Sequence, residues 1–381
     1  MSESKYQPLR SHARGDRTGL CLSGGGYRAT LFHLGSLRRL NEIGLLSKID
    51  TFSSVSGGSI TNGLLALVWP RLTPDANGVF TNFDNEVLRP LRRLCGTDIR
   101  TAPLVWQRLD PRKWWRLSLG GDSAANLLGD AYADHLVGQT TLQHLTNVAE
   151  AGGPDFIFCA TNYQTGVNFV FTPRVIGDWT IGYTEGRSIR LADAIACSSA
   201  FPIGFPLFTL RPGVPPAQFK RGALRHDPDY PRYVRRILLT DGGVYDNLGL
   251  EPVWKNHATV FCSDGGAPFL PRPRPRALLP FRLMRANDII NNQARAVRKR
   301  WLIASYEKCV YNGCYWGVGT DIDDYEVGVE GYRGEELARV AGIRTDLNRF
   351  SDDEQHMLIT HGHALAHAAI ERHFVSQLRV A

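Results

Sequence analysis

The chain has 381 residues, which allow one large α/β domain or two smaller ones with a substantial core. Its 43% hydrophobic and 21% charged residues are ordinary for a globular protein, and no apolar run reaches the ~18 residues of a membrane span. The net charge of +7 favours an anionic partner and leaves a membrane surface, a nucleotide and a nucleic acid open. Residues 1–17 are polar and lack an apolar core, so we expect no secretory signal.

The seven cysteines are an odd number and do not indicate a disulfide framework. Cys21, Cys159 and Cys262 lie in strand-like runs and are expected to be buried thiols. Cys309 and Cys314 form a close pair, but the second pair that a zinc site would need is missing. This pattern favours a reducing, cytoplasmic location.

The first seventy residues alternate between strand and helix patterns. Residues 18–23 predict a buried strand that ends on glycines 24–26, and the helix that follows is closed by Gly44. Residues 49–55 predict a second strand, and residues 60–69 a second helix. This alternation predicts a parallel sheet with helices on its faces.

The turn between the second strand and the second helix carries a serine, Ser56. Residues 54–58 (SVSGG) match the nucleophile-elbow pattern Gly-x-Ser-x-Gly except at Ser54, and Gly57 and Gly58 follow the serine at once. Such an elbow lifts the serine side chain clear of the backbone, and small neighbours let strand and helix approach. A plain Gly/Ser-rich loop is the alternative.

An insertion is expected at about 71–121. Its part from 89 to 116 holds eight arginines or lysines, together with Trp106, Trp114 and Trp115. Basic and indole side chains suit a membrane interface, whereas the other interpretation is an insertion whose tryptophans pack onto the domain.

Regular patterns resume beyond this insertion. They predict a hairpin of two strands at 155–162 and 168–172 and a short helix at 191–200. An exposed loop at 211–233 and two further strands at 233–240 and 258–263 follow. Residues 271–276 alternate proline and arginine and are expected to be extended and exposed. A helical C-terminal part, about 285–381, would contain a long helix at 288–307 and a last helix that starts with a capping box at 351–354.

Gly24, Gly25 and Gly26 lie between the first strand and its helix, where backbone N–H groups and the helix N-terminus attract an anion. Arg28 follows and could steady an oxyanion or a phosphate. The spacing to Ala29 also fits a dinucleotide fingerprint, but the acidic residue expected at the end of the second strand is missing.

The base for Ser56 is open on the residues alone. His361 and His363 are triad candidates only in an α/β-hydrolase fold. His363 and His367 are four residues apart, yet no glutamate stands between them as in a zinc-protease motif, so a solvated helix face is favoured over a metal site. Asp241 and Asp264 each end a strand and precede two glycines, at the sheet edge where α/β proteins bind ligands.

Four motifs together resemble the patatin-like phospholipase family. They are residues 23–28 (SGGGYR), 56–58 (SGG), 198–202 (SSAFP) and 241–247 (DGGVYDN). Their order and spacing also fit, and the likeness runs from about residue 19 to 268.

The resemblance implies a three-layer α/β/α fold with a mainly parallel central sheet. It implies a dyad of Ser56 as nucleophile and Asp241 as direct base, without a histidine, and it places Asp264 and Asp246 outside the dyad. The oxyanion hole would consist of the glycine loop, with the amides of Gly25 and Gly26, and Arg28 close by. The implied reaction is hydrolysis of a phospholipid or lysophospholipid ester through an acyl-serine, with no metal and no organic cofactor.

Two positions depart from the family pattern. Ala29 stands where a glycine often follows the basic residue, and Ser54 replaces the first glycine of the elbow. Alanine costs little where φ is negative, but Ser54 would be strained at a positive φ.

A second hypothesis is a nucleotide-sensing protein, either non-catalytic or a lipase switched on as an effector in bacterial antiphage defence. It rests on a basic set in the C-terminal third, Arg272, Arg274, Arg276, Arg295, Arg298 and Arg300. The alternative is a solvated or lipid-docking face.

We expect a single domain over 1–381 that works in the cytoplasm and associates peripherally with the inner membrane surface. The substrate would be a membrane lipid, and a homo-oligomer stays open. Nucleic acid is not expected as a partner, because no aromatic-basic strand motif or zinc module is present.

Overall fold

The computed structural model describes residues 16–101, 122–202, 205–276 and 278–375. The strands of its central sheet are β1 (Thr18–Leu22), β2 (Thr51–Val55), β3 (Asp155–Asn162), β4 (Val167–Phe171), β5 (Ile176–Asp178), β6 (Gly182–Thr184), β7 (Phe208–Leu210), β8 (Ile237–Asp241), β9 (Thr259–Asp264) and β10 (Tyr315–Gly317).

Helices connect and cover these strands. They are α1 (Gly26–Glu42), α2 (Gly57–Val68), α3 (Arg89–Cys95), α4 (Ala124–Tyr132), α5 (Gln143–Glu150), α6 (Leu191–Ser199), α7 (Tyr230–Arg235), α8 (Gly243–Asp246), α9 (Leu279–Glu307), α10 (Gly334–Ala341) and α11 (Asp352–Ala369).

The sheet has the order β10-β9-β1-β2-β3-β4-β5-β6, and β8 pairs with β3 and β7. Strands β10, β9, β1, β2 and β3 all run parallel, whereas β4 to β8 join by antiparallel pairing. The parallel strands follow crossovers that contain helices, as the alternating pattern predicts. The α/β fold class is therefore confirmed, and so is the β3–β4 hairpin.

Alternate side chains of the central strands pack into two apolar layers, one on each face of the sheet. Leu20 and Leu22 of β1 belong to the larger core with α1, α2 and α11, whereas Cys21 between them belongs to a smaller core that includes Leu302 of α9. Because successive strand side chains point to opposite faces, the sheet is covered on both sides. This is the three-layer arrangement.

Three differences from the sequence prediction concern element bounds. Residues 233–235 belong to α7 instead of the strand, which starts at Ile237. The long helix α9 begins at Leu279 instead of residue 288, because Pro280 lies in its first turn, where a missing N–H costs nothing. The elbow helix ends at Val68.

Other local predictions agree with the structure. Residues 271–276 are exposed and have no regular structure, and Ser351 caps α11 in a capping box with Glu354. Cys21, Cys159 and Cys262 are buried. Part of the predicted insertion, residues 102–121 with Trp106, Trp114 and Trp115, lies outside the described residues.

Candidate active site

Ser56 occupies the turn between β2 and α2 and has φ 51° and ψ −119°. A positive φ is unfavourable for a residue with a side chain and costs about 1–3 kcal/mol. This strained strand-to-helix turn is the backbone geometry of a nucleophile elbow. The side chain is 8% exposed and lines a cavity of about 500 Å³.

The two glycines after Ser56 are required by close packing. A Cβ on Gly57 would lie 2.1 Å from the carbonyl oxygen of Gly26, and one on Gly58 would lie 2.3 Å from that of Leu22. Both distances are far below van der Waals contact. The start of α2 is therefore pressed against the end of β1 and the glycine loop.

Ser54 lies in β2 without a positive φ, so no strain falls on it. Its hydroxyl donates to the carbonyl of Ile157 at 3.1 Å and accepts from Ser59 and Asn62 at 2.9 Å each. The serine in place of the first glycine therefore joins β2 to β3 and to α2. The strain of the elbow is carried by Ser56 instead.

The register of β3 brings Asp241 to Ser56. Val55, the last residue of β2, pairs with Cys159, and Asp241, the last residue of β8, pairs with Ala160. Strands β2 and β8 lie on the same edge of β3, because β4 occupies its other edge. Since β2 runs parallel and β8 antiparallel to β3, their C-terminal ends meet head to head.

The C-terminal end of α6 is hydrogen-bonded to the turn at Ser56 and to the turn at Asp241. The N–H of Ser56 donates to the hydroxyl of Ser198 at 3.0 Å and to its carbonyl at 3.1 Å. The N–H of Gly242 donates to the Ser198 carbonyl at 3.2 Å, and that of Asp241 to the Ala200 carbonyl at 3.1 Å. The sequence marked residues 198–202 as a motif but gave no role to Ser198, because these bonds join distant segments.

Asp241 is buried, with 3% of the residue exposed. Burial raises its pKa to about 6, although the N–H of Gly243, which donates to it at 2.7 Å, and the nearby Ser56 hydroxyl both act in the opposite direction. At neutral pH the group is mainly a carboxylate that can accept a proton.

The glycine loop, residues 24–26, also lines the cavity. The N–H of Gly24 donates to the carbonyl of Asn247 at 3.0 Å. Gly25 and Gly26 have φ of 145° and 55°, and within the described ranges their N–H groups have no hydrogen-bond acceptor. All three glycines line the cavity with Ser56. Two free donors at the start of α1 suit an anion, so Gly25 and Gly26 are better placed for this than Gly24.

Arg28 is placed differently from the sequence prediction. Its guanidinium donates to the carbonyls of Gly265, Ala341 and Ile343 at 2.9–3.3 Å, and the side chain is 2% exposed. Burial lowers its pKa to about 10. Arg28 is absent from the cavity lining and joins the glycine loop to the C-terminal part, so it occupies a structural position instead of one beside a reacting oxygen.

The histidine candidates lie away from Ser56. His361 bonds to the carbonyl of Val318 at 2.9 Å, and His363 to Glu42 at 2.7 Å. His367 pairs with Glu371 at 3.2 Å. None of these histidines lines the cavity, and the part of the chain that the structure describes has no cluster of three metal-ligating side chains.

The other acidic candidates are bound elsewhere. Asp264 lies 3.7 Å from Arg295 and accepts from the hydroxyl of Tyr315 at 2.8 Å. Asp246 accepts from three backbone N–H groups of the following turn at 2.8–3.1 Å and lies 3.3 Å from Arg298. Both carboxylates hold loops together.

The far wall of the cavity consists of residues that the sequence analysis did not assign to the site. They come from the loop after β9 and from one face of α9, and include Phe269, Leu270, Arg272, Arg285, Asn292 and Arg295. Arg272 and Arg295 of the basic set therefore face the cavity, whereas Arg298 lies at Asp246. The basic set does not gather around a single pocket.

Comparison with known proteins identifies the family of this chain. The family model of patatin-like phospholipases matches residues 20–254, more than half of the chain. The sequence matches no curated protein.

Solved structures of a human phospholipase A2 show the same fold. Human GIVD cytosolic phospholipase A2 aligns with a TM-score of 0.51 at 13% identity, over 95% of this chain and 60% of that chain. The same human protein in complex with methyl γ-linolenyl fluorophosphonate aligns with a TM-score of 0.50 at 15% identity, over 93% and 58%. VipD from Legionella pneumophila is more distant, with a TM-score of 0.38 at 15% identity over 94% and 67%. The chain thus spans about 60% of the length of the human protein.

Within the described ranges, no helix is long and apolar enough to cross a bilayer. By its matched region and its fold, the chain belongs to the patatin-like phospholipase family.

Proposed function

We propose that this protein hydrolyses a fatty-acyl ester of a phospholipid or lysophospholipid through a dyad of Ser56 and Asp241. The observation that carries the proposal is the meeting, in one cavity, of a strained serine, a buried carboxylate whose pKa the serine hydroxyl lowers, and two backbone N–H groups that have no acceptor within the described ranges. These are the nucleophile, the base and the anion hole that acyl transfer needs.

In the first step the Ser56 oxygen attacks the ester carbonyl carbon, and its proton passes to Asp241. The carbonyl oxygen becomes an oxyanion beside the N–H groups of Gly25 and Gly26. When the C–O bond to the lipid alcohol breaks, Asp241 returns the proton to the departing alcohol. The products of this half-reaction are an acyl-serine and the alcohol part of the lipid.

In the second step water attacks the acyl-serine and gives a proton to Asp241. The bond to Ser56 breaks, the proton returns to the serine oxygen, and a fatty acid is released. A carboxylate suffices as base because the pKa of Asp241 is raised to about 6, closer to the working pH than an ordinary aspartate.

A fluorophosphonate tests the nucleophile directly. The human neighbour carries methyl γ-linolenyl fluorophosphonate in its structure. A serine nucleophile would displace fluoride from phosphorus and retain the phosphonyl group. We expect mass spectrometry to find this adduct on the peptide that contains Ser56, and not in Ser56→Ala. An adduct on another serine, with full activity of Ser56→Ala, would refute the dyad.

The substrate class needs a second experiment. The purified protein is incubated with a mixed lipid extract, and the products are read by mass spectrometry. Released fatty acid together with a lysophospholipid indicates a phospholipase A, and fatty acid with a glycerophospho-compound indicates a lysophospholipase. No loss of any acyl lipid would overturn the proposal.

We also propose that the reaction takes place at a membrane surface, where the substrate resides. The net charge of +7 and the arginines on the cavity wall support attraction to lipid phosphates.

A further inference from the structure

The first two turns of α9 leave the body of the protein. All residues from 278 to 284 are exposed, although five of them are large and apolar. Their exposed fractions are 69% for Leu278, 63% for Leu279, 37% for Phe281, 62% for Leu283 and 42% for Met284. We call residues 278–284 the apolar tip.

The apolar tip is exposed on every side. Seven consecutive residues cover almost two helical turns, so their side chains point in all directions around the axis. The buried residues of α9, Leu302 and Ser305, lie near its other end. A protein groove covers one face of a helix, whereas fluid hydrocarbon surrounds a protruding end. The shape of the tip therefore favours lipid as the partner.

The charge around the apolar tip is positive. Residues 265–287 contain no aspartate or glutamate and hold five arginines, namely Arg272, Arg274, Arg276, Arg282 and Arg285. The guanidinium of Arg276 lies 4.7 Å from the centre of the Phe281 ring. A symmetric contact with a second copy would bring these arginines against their own copies, whereas an anionic bilayer complements them.

The apolar tip adjoins the cavity of Ser56. Phe269, Leu270 and Arg272, from the loop that leads to the tip, line this cavity, and so does Arg285, from the turn that follows. Leu270 is 63% exposed and continues the apolar surface to the cavity. A bilayer that holds the tip is thus in reach of the site.

We propose that the apolar tip inserts into an anionic bilayer, with the arginines of 272–285 on the lipid phosphates, and that this docks the cavity on its substrate. The role in catalysis rests on the proposed function, whereas the docking does not. The proposed docking surface is the helix end beside the site, whereas the sequence left a membrane contact of the stretch 89–116 open.

Vesicle flotation tests the docking. The vesicles are phosphatidylcholine alone or mixed with phosphatidylglycerol, and the variant is Leu279→Glu/Leu283→Glu, whose side chains lie outside the cavity lining. The matched control is Val310→Glu, which is 42% exposed just beyond the other end of α9. We expect the double variant to lose at least about tenfold in affinity for the mixed vesicles, because charged residues cannot enter the hydrocarbon. The control should bind as wild type does.

Charge is tested separately. Arg274→Ala and Arg282→Ala should each lower affinity for the mixed vesicles about fivefold, with little change for phosphatidylcholine alone. Equal binding of wild type to both kinds of vesicle would contradict the role of the arginines.

A soluble short-chain ester separates docking from catalysis. Leu279→Glu/Leu283→Glu should cleave p-nitrophenyl butyrate at the wild-type rate but cleave lipid in vesicles at least about tenfold more slowly. If wild type cleaves the soluble ester yet does not float with vesicles, the docking proposal falls and the hydrolase stands. If it floats but cleaves no ester, the docking stands and the proposed function falls.

A second copy as the partner is the remaining outcome. Sedimentation of the wild type and the double variant in the absence of lipid measures it. A dimer that the double variant loses, together with unchanged flotation, would overturn the proposal in favour of self-association.

Discussion

Two turns of this molecule have the same sequence, Asp-Gly-Gly, and different surroundings. Asp241 ends β8 and Asp264 ends β9, and both carboxylates are almost fully buried. Burial raises the pKa of Asp241 to about 6, because the described residues bring only the Gly243 N–H and the Ser56 hydroxyl, and no cation, to oppose it. Burial acts on Asp264 in the same direction, but Arg295, the N–H of Gly266 and Tyr315 lower its pKa below the usual value. The difference shows that the neighbours, not the motif, decide which aspartate can act as a base.

Substitution of each aspartate by asparagine tests this comparison most strongly. Asp241→Asn should lower kcat/KM on a soluble ester by about 10³–10⁴-fold, since the amide cannot take the proton of Ser56. Asp264→Asn should change kcat/KM by less than about tenfold, because Asp264 does not line the cavity. Comparable losses in the two folded variants would show that the turns do not differ in function.

The same two substitutions should change the free energy of unfolding in opposite directions. In wild type, the unfolded chain loses the Asp241 proton near pH 3.8 and the folded protein loses it near 6, so the free energy of unfolding falls as pH rises between these values. Asp241→Asn removes this penalty, which is up to about 3 kcal/mol, and should be more stable than wild type at pH 7–8.

Asp264→Asn should be less stable at neutral pH by about 1–3 kcal/mol, because Arg295 and the Tyr315 hydroxyl lose a charged partner. The lowered pKa means that this contribution is present above the pKa of the unfolded state and is lost as pH falls below it. Urea denaturation at pH 4.5 and 7.5 measures both variants. A destabilised Asp241→Asn at pH 7.5 would contradict the proposed surroundings of Asp241.

Ser198 offers a smaller, geometric perturbation of the Ser56 turn. Ser198→Ala removes the hydroxyl that accepts from the Ser56 N–H and donates to the Cys159 carbonyl at 2.6 Å. We expect kcat to fall about 10–100-fold with KM little changed, because the dyad loses its alignment. The neighbouring Ser199→Ala is the control, since Ser199 bonds to Ile195 and Tyr132 away from both turns. Equal effects of the two substitutions would leave Ser198 without a positioning role.

The smallest expected effect is the change of kcat/KM with pH. Below pH about 6, kcat/KM of wild type should fall tenfold per pH unit, because the protonated Asp241 cannot accept the Ser56 proton. A stopped assay on a soluble ester from pH 4.5 to 8 measures it. A profile that breaks near pH 4 instead would mean that Asp241 has the pKa of an exposed carboxyl.

Much of the fold could be predicted from the sequence, because it depends on residues that are neighbours along the chain. Apolar runs that end on Gly24–Gly26 and on Ser56 mark β1 and β2, because buried parallel strands are continuously apolar and their turns need small residues. The capping box at Ser351 was legible because its partners are three residues apart.

Contacts between distant segments could not be predicted from the sequence. Arg28 resembled an anion ligand by its position after the glycines, but the carbonyls that bind it belong to segments more than two hundred residues away. The apolar tip was missed because the predicted helix started only at residue 288, and because exposure depends on what the rest of the chain covers.

By itself the sequence determined the order of strands and helices, the elbow at Ser56 and the two candidate aspartates, since these depend on neighbours along the chain. Only the tertiary structure decided which groups meet. The register of β3 sets the ends of β2 and β8 against each other, and the end of α6 fastens them. It also decided that the strain lies on Ser56 and not on Ser54, because φ follows from the path that the packed strand and helix impose.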